Sequence, residues 1–214
     1  MSDATIPTDA IRSPDTARPQ RIPPGQKQTH KWPVLHAGET PVYTNLEREW
    51  DFYVFGEVEA KRRFSWSEFA ALPRVRVHAD MHCVTRWSKL DNVWEGVPTR
   101  ELLKHVTPKP TATHVLVHCE HGFTTNLPLA DFFAEDCLFA LSHNGQPLEP
   151  DHGYPVRLVV PRLYAWKSAK WVRGVEFLAW DVPGFWERLG YHMRGDPWAE
   201  ERHRPGSFHG SSGL

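Results

Sequence analysis

Short apolar runs, broken by Gly, Pro and Asn at close intervals, dominate the chain and predict strands rather than long helices. Trp50 to Val58, WDFYVFGEV, is an aromatic and β-branched run interrupted at Gly56 and predicts a strand. In SWSEFAALP, Ser65 stands three residues before Glu68, the spacing at which hydroxyl and carboxylate cap each other's backbone donors, so a short helix is expected, stopped by Pro73. RVRVHADM sets Val75, Val77 and Ala79 against Arg74, Arg76 and His78; one face should pack, the other stay polar, and Cys83 follows just past the strand end. After Pro98, Thr99 is expected to cap a second short helix over RELLKHV. THVLVHCE and FTTNLPL flank His121-Gly122 as a hairpin, CLFALSHNGQPLEP runs into an Asn144-Gly145 turn, and PVRLVVP is a strand between prolines. KWVRGVEFLAW spaces Val172, Val175 and Phe177 irregularly. The sum is a β-rich α+β domain with short helices; strands and long helices do not alternate, which argues against a doubly wound nucleotide fold. No internal repeat and no Gly-rich phosphate loop is present.

The ends read differently. Residues 1–30 contain five prolines and almost no large apolar side chains, so they are expected to be a flexible arm that cannot offset its ordering entropy by burial. The folded domain is expected over 31–182. Residues 183–214 keep Phe185, Trp186, Tyr191 and Trp198 before turning Gly- and Ser-rich, which predicts a strap to about Arg202 and a disordered tail.

Composition narrows the function. The 214 residues carry 25 Lys+Arg against 26 Asp+Glu, which provides no basic field for nucleic acid or anionic lipid. Neither a signal-peptide core nor a membrane-length apolar stretch is found. Three cysteines, Cys83, Cys119 and Cys137, form neither an even set nor a CxxC pair; a reducing, cytoplasmic setting is expected.

Two stretches could carry chemistry. A lone cysteine beside an apolar strand is most often a small buried hydrophobe, and Cys119 and Cys137 fit that reading. Cys83 differs because His82 and Arg86 would favour its thiolate, the form that attacks electrophiles or binds metal. HGYPVRLVVPRLYAWKSAKWVRG, 152–174, holds His152, Arg157, Arg162, Lys167, Lys170 and Arg173 with no acid among them. Desolvated cations need partners, so one reading is a partly buried anion site; the other is cations snorkelling from the solvent face of a β ladder, and periodicity does not separate the two. His78 and His82 have the spacing of a zinc-binding helix but lack its glutamate and lie in a predicted strand. No G-x-S-x-G elbow supports a serine hydrolase.

DMHCVTRWSKLDNVWEGVPTRELL, followed by NGQPLEPDHGYPVRLVVPRLYAWKSAKWVRGVEFL, resembles the molybdopterin-binding oxidoreductase domain of the sulfite oxidase superfamily, the small bacterial members above all, which are related to the catalytic subunit of the periplasmic methionine sulfoxide reductase. The resemblance runs from about Trp32 through Trp198. It implies a fold of β-rich mixed sheets with a partly barrel-like core around a molybdenum cofactor, Mo-molybdopterin, in which Cys83 stands at the position of the thiolate ligand. It also implies that His152 contacts the pterin, that Arg157 binds the phosphate end, that Lys167, Ser168, Ala169 and Lys170 wrap that end, and that His36 lies along the pterin. His82, Arg86 and Trp87 would shape a substrate pocket.

Departures from the family pattern matter too. VTRWS replaces the AGNRR-like run that follows the cysteine in sulfite oxidisers, and Cys119 replaces a cofactor-contacting threonine of the reductase-like relatives. With no room for a haem module, electrons are expected to pass to or from a separate partner protein. The resulting expectation is two-electron oxygen-atom transfer on a small sulfite-like anion or an S- or N-oxide. A binding or scaffold domain retaining the fold, and a cysteine-dependent transferase, are the competing readings.

Overall fold

The computed structural model describes residues 6–206. Two mixed sheets carry the fold. The strands β1 (Ile11–Arg12), β5 (Val75–His82), β6 (Trp87–Pro98), β9 (Leu138–His143) and β10 (Gln146–Pro147) lie side by side in that order, with β2 (Lys27–Gln28) added on β6 and β11 (Arg157–Val159) on β9. The second sheet runs β4 (Arg62–Ser65), β3 (Asp51–Gly56), β12 (Val172–Leu178), β7 (His114–Cys119) and β8 (Thr124–Pro128). Helices are short: α1 (Leu46–Glu49), α2 (Trp66–Ala70), α3 (Leu129–Phe132) and α4 (Phe185–Arg188), with 3-10 turns between strands. Both sheets are open, so the barrel-like core is not a closed barrel. Among the described residues no helix is long and apolar enough to cross a membrane.

Aromatic packing joins the sheets. Phe52 of β3 and Phe139 of β9, both fully buried, meet edge to face at 5.1 Å between centroids. The flanking Leu138 and Ala140 point the other way and pack with Val77, Ala79 and Trp94 in a second cluster. The capping box of Ser65 and Glu68 forms as the spacing requires, and both hairpins form in register. Thr99 does not cap: Pro98 takes the N-cap position, and the Thr99 hydroxyl donates to the Phe132 carbonyl instead. The irregular spacing around Val172 has a cause in the ladder. β12 is the centre of its sheet, with a bulge between Val172 and Gly174, and a Cβ at Gly174 would lie 2.6 Å from the Tyr53 carbonyl oxygen.

The expected polar face of β5 stays polar only at Arg76; His78, Asp80 and His82 are buried. The reason lies in the segment expected to be a flexible arm. Over 6–30 it is laid against the sheet: β1 pairs in parallel with β5, β2 in parallel with β6, and Arg21 donates to both Asp80 and Asp91. Backbone ladders and ion pairs hold this strap with little apolar burial, which is why its composition reads as disorder. At the other end the chain continues past α4 to Gly206, with a bridge between Tyr191 and His203. The tail expected to be disordered lies, over 207–214, outside the described residues, as do residues 1–5.

Candidate active site

Cys83 occupies the tight turn between β5 and β6. The Cys83 N–H donates to the Trp87 carbonyl at 2.8 Å, the Arg86 N–H to the Cys83 carbonyl at 3.0 Å, and the Gln26 amide reaches the same carbonyl from the N-terminal strap at 2.9 Å. Arg86 closes the turn in the left-handed region, with φ 75°. The Cys83 residue is 7% exposed, and the Thr85 hydroxyl donates to its sulfur at 3.1 Å. Burial pushes the thiol up, while the Thr85 hydrogen bond and the positive charge of Arg202 pull it back towards thiolate. Cys119 and Cys137 are interior thiols pushed far up by burial, as expected of core residues.

Trp87 links this turn to a cleft lined by Trp32, His36, Arg157, Ser168, Ala169 and Lys170 among others; Cys83 does not itself line it. Arg157 is the deepest charge, 2% exposed. Its guanidinium donates to the carbonyls of His152 and Ser168, both at 2.9 Å, lies 5.3 Å from the Trp32 ring centroid, and leaves Nε buried without an acceptor. Burial pushes Arg157 down to about 9. His152 stacks on Trp32 and leaves Nδ1 buried without a partner; burial, then Arg157 and Lys170, push it down to about 4. Lys170 donates to the Asp151 carbonyl and is pushed down to about 7 by burial and by Arg157. No carboxylate pairs with Arg157 among the described residues.

Two desolvated cations, an orphaned guanidinium N–H and an irregular loop at Ser168–Lys170 therefore face one cleft. Buried positive charge without a counter-ion is costly, and a phosphate-bearing ligand would remove that cost because its oxygens match the guanidinium fork. The residues present fit the phosphate end of a molybdopterin.

The basic segment thus splits. Arg157, His152 and Lys170 gather at the cleft, whereas Arg162 pairs with Asp136, and Arg173 with Asp51 and Glu120. Lys167 departs from its expected role. Its ammonium is fully buried, 2.6 Å from Glu187, and also donates to Asn126 and to the Met193 carbonyl, so no donor is left for the cleft; only Ser168, Ala169 and Lys170 of the expected wrapping loop line it. His82 also departs. Adjacent strand residues face opposite ways, and its ring hydrogen-bonds Ser88 at 2.8 Å beneath Trp198, fully buried and outside the cleft. Arg86 is exposed beside the C-terminal strap, and His36 lines the cleft with its ring against Trp171. Sequence reasoning missed Trp32, Gln26 and Arg202: each acts through long-range contact, and no local spacing marks them.

The sequence profile of the oxidoreductase molybdopterin binding domain matches residues 37–186. The chain is 50% identical over 182 residues to the uncharacterized oxidoreductase YuiH of Bacillus subtilis (strain 168), covering 85% of this chain and 91% of that protein. It is 29% identical over 159 residues to the protein-methionine-sulfoxide reductase catalytic subunit MsrP of Gluconobacter oxydans, covering 65% of this chain and 50% of that one. Identity to the sulfite oxidase of Arabidopsis thaliana is 27% over 191 residues, 73% of this chain and 48% of the other, so the chain spans about half the length of these two relatives. The sulfane dehydrogenase SoxCD from Paracoccus pantotrophus shares the fold, with a TM-score of 0.60 at 21% identity over 70% of this chain and 42% of that one. Profile, relatives and fold agree with the cationic cleft, and the chain belongs to the molybdopterin-binding oxidoreductases of the sulfite oxidase superfamily, enzymes that use the molybdenum cofactor.

Proposed function

We propose that the protein carries out two-electron oxygen-atom transfer on a small substrate, with the Cys83 thiolate as the protein's ligand to molybdenum. The observation that carries this reading is the pairing of an uncompensated buried cation, Arg157, with a hydroxyl-supported cysteine turn, the two joined through Trp87. Among the described residues no group of three or more His, Cys, Asp or Glu could hold a metal ion. A metal here would therefore take one protein sulfur and its remaining ligands from a cofactor, and thiolate suits a soft metal-sulfur centre.

When bound, the cofactor supplies the redox chemistry. This chain's own residues hold and orient it: Arg157 and Lys170 neutralise the phosphate end, Ser168 and Ala169 shape the loop around it, and His152 and His36 flank the pterin. Thr85 holds the Cys83 sulfur towards its charged form, and Trp87 ties the turn to the cleft, since its carbonyl accepts the Cys83 N–H and the residue lines the cleft. Lys167 contributes indirectly, by anchoring the loop to Glu187. By their names, the Gluconobacter and Arabidopsis relatives act on protein methionine sulfoxide and on sulfite, which favours a sulfur-oxo substrate here. Electrons would pass to or from a separate protein, and three unpaired cysteines suit the cytoplasm.

Protein purified from molybdate-supplied cells tests this by metal analysis, the fluorescence of oxidised pterin, and turnover of sulfite and methionine sulfoxide. Stoichiometric molybdenum that disappears in Arg157→Ala is expected. A molybdenum content that Arg157→Ala leaves unchanged would remove the anchoring role.

A further inference from the structure

Residues 31–44 form one wall of the cationic cleft, through Trp32, Pro33, Leu35, His36 and Ala37, and run between two firm anchors. Upstream, the Thr29 N–H donates to the Ser88 carbonyl at 2.8 Å. Downstream, the Glu49 carboxylate accepts from the Thr44 N–H at 2.8 Å and from the Thr44 hydroxyl at 2.6 Å, which fixes the approach to α1. Between the anchors, among the described residues, residues 31–44 make no backbone-to-backbone hydrogen bond, and none of them is buried. Val34, Leu35 and Val42 are 47%, 51% and 84% exposed, so the segment gains little apolar burial from its order and is cheap to displace.

Side chains hold the segment instead. Trp32 stacks on His152, the His36 ring meets Trp171 edge on at 4.9 Å, the Thr40 hydroxyl donates to Asp151 at 2.6 Å, and the Tyr43 hydroxyl donates to Glu120 at 2.8 Å. Asp151 and His152 share the 3-10 turn Pro150–His152, whose carbonyls also accept from Lys170 and Arg157, and Trp171 directly follows Lys170. Three of these contacts therefore end on residues that carry or adjoin the charges of the cleft. The tip of the segment is closed on itself. His36 Nδ1 lies 3.0 Å from the Gly38 carbonyl, Gly38 turns at φ 81°, and a Cβ there would meet only His121, at 3.9 Å. A self-bonded tip with open space around it can swing without being remade.

We propose that residues 31–44 are a lid that opens as a unit to admit the phosphate-bearing cofactor and shuts over it. The identity of the ligand rests on the cofactor reading of the cleft; the lid itself does not. Arg157 is 2% and His152 6% exposed, with Trp32 lying flat on the one and 5.3 Å from the other's ring face. A ligand bound to these groups reaches them, and leaves them, when Trp32 and its segment move away. Once bound to Arg157 and Lys170, it steadies the turn on which the lid latches, so loading favours the shut form. Thr40–Asp151 and Tyr43–Glu120 do not line the cleft. These two latches act on the lid and not on the ligand.

Spin labels on Val34→Cys in the lid and on Leu103→Cys in the 3-10 turn Thr99–Lys104 report opening as a change of distance; both sites are exposed and the three native thiols are buried. Cofactor-free protein is expected to show a minor second distance, which molybdenum loading removes and which Thr40→Val with Tyr43→Phe makes the major one. The same double variant is expected to take up molybdopterin, freed from a heat-denatured molybdoenzyme, and to release it, each about fivefold faster than the unaltered protein, the factor that a side-chain hydrogen bond carries. Fluorescence of oxidised pterin reads both rates. A wall that only touches the ligand would speed release alone. Both variants should fold, because Glu120 keeps Arg173 and the carboxylate freed at Asp151 is exposed. Uptake that is unchanged or slowed in the double variant overturns the proposal, as does a label distance that the variant leaves unmoved in cofactor-free protein. Protein that takes up no pterin at all ends the cofactor reading, and the label distances in cofactor-free protein then decide the lid by themselves.

Discussion

The rings of Trp32 and His152 stack 3.7 Å apart with their planes 1° from parallel, and the Trp32 face also lies 5.3 Å from the Arg157 guanidinium. One aromatic side chain just past the N-terminal strap thus covers two polar groups of the cationic cleft. Face-to-face cover of a desolvated cation contributes on the order of 0.5–2 kcal/mol, so Trp32→Ala should lower cofactor retention roughly tenfold, read as molybdenum per protein after dialysis. Trp32→Phe should restore much of it. Equal retention in all three proteins would show that Trp32 is only packing.

Lys170 gives two opposite pH trends. Burial and Arg157 push its ammonium from the ordinary 10.5 down to about 7. Between these values the unfolded chain binds the proton that the folded chain has lost, so stability of the cofactor-free protein should rise as pH increases from about 7 to 10. Affinity for a phosphate-bearing ligand should fall over the lower part of that range, because the neutral amine no longer attracts the anion. Thermal denaturation and inorganic phosphate titrations of cofactor-free protein against pH measure both, and Lys170→Met should flatten both curves.

The acid side follows from buried imidazoles. Burial holds His82 down at about 4 and His143 at about 3. Each is neutral in the fold and would ionise near 6.5 if unfolded, so their contribution is complete above that value and is lost as pH falls from about 6.5 towards 4. Denaturant midpoints across pH 7 to 4 should drop steeply, and His143→Gln should make the drop shallower.

Much of the scaffold is legible in the sequence because it is locally encoded. The Ser65–Glu68 box and the Asn144-Gly145 turn are short-range chemistry, and they form. Arg157 is legible only as a choice between burial and snorkelling, since a three-residue strand buried throughout leaves no periodic trace. The N-terminal strap is illegible because its pairing partners, β5 and β6, lie 60 or so residues away in the chain and are met through backbone groups. Lys167 reads as an anion-binding loop cation because its true partner, Glu187, is 20 positions on, past an intervening strand.

That Lys167–Glu187 pair makes its own prediction. Both side chains are fully buried, and Glu187 Oε1 also accepts from the Trp166 indole N–H at 2.8 Å. Removing one partner strands a charge in the interior, which typically costs about 3–5 kcal/mol. Lys167→Met should therefore lose about that much in urea denaturation, and the double variant Lys167→Met with Glu187→Leu should lose clearly less than the two single variants summed. Additive losses would mean that the pair is uncoupled.

Cys83→Ser separates ligation from packing. The turn is held by backbone and strap contacts: the Cys83 N–H to Trp87, the Gln26 amide to the Cys83 carbonyl, and Arg202 to Val84. None of these involves sulfur. Serine is of similar size and its hydroxyl can accept the hydrogen bond that Thr85 gives the thiol, so the fold should lose no more than about 1 kcal/mol. A neutral hydroxyl cannot replace a thiolate at a soft metal. Turnover should fall to background while pterin content, which the proposal assigns to Arg157 and Lys170, is largely kept. On the proposed reading, with Arg157 and Cys83 at opposite ends of the ligand, Arg157→Ala should lose pterin and Cys83→Ser should lose catalysis with pterin present. If Cys83→Ser instead releases pterin as fully as Arg157→Ala, or keeps turnover, the sulfur is not the ligand.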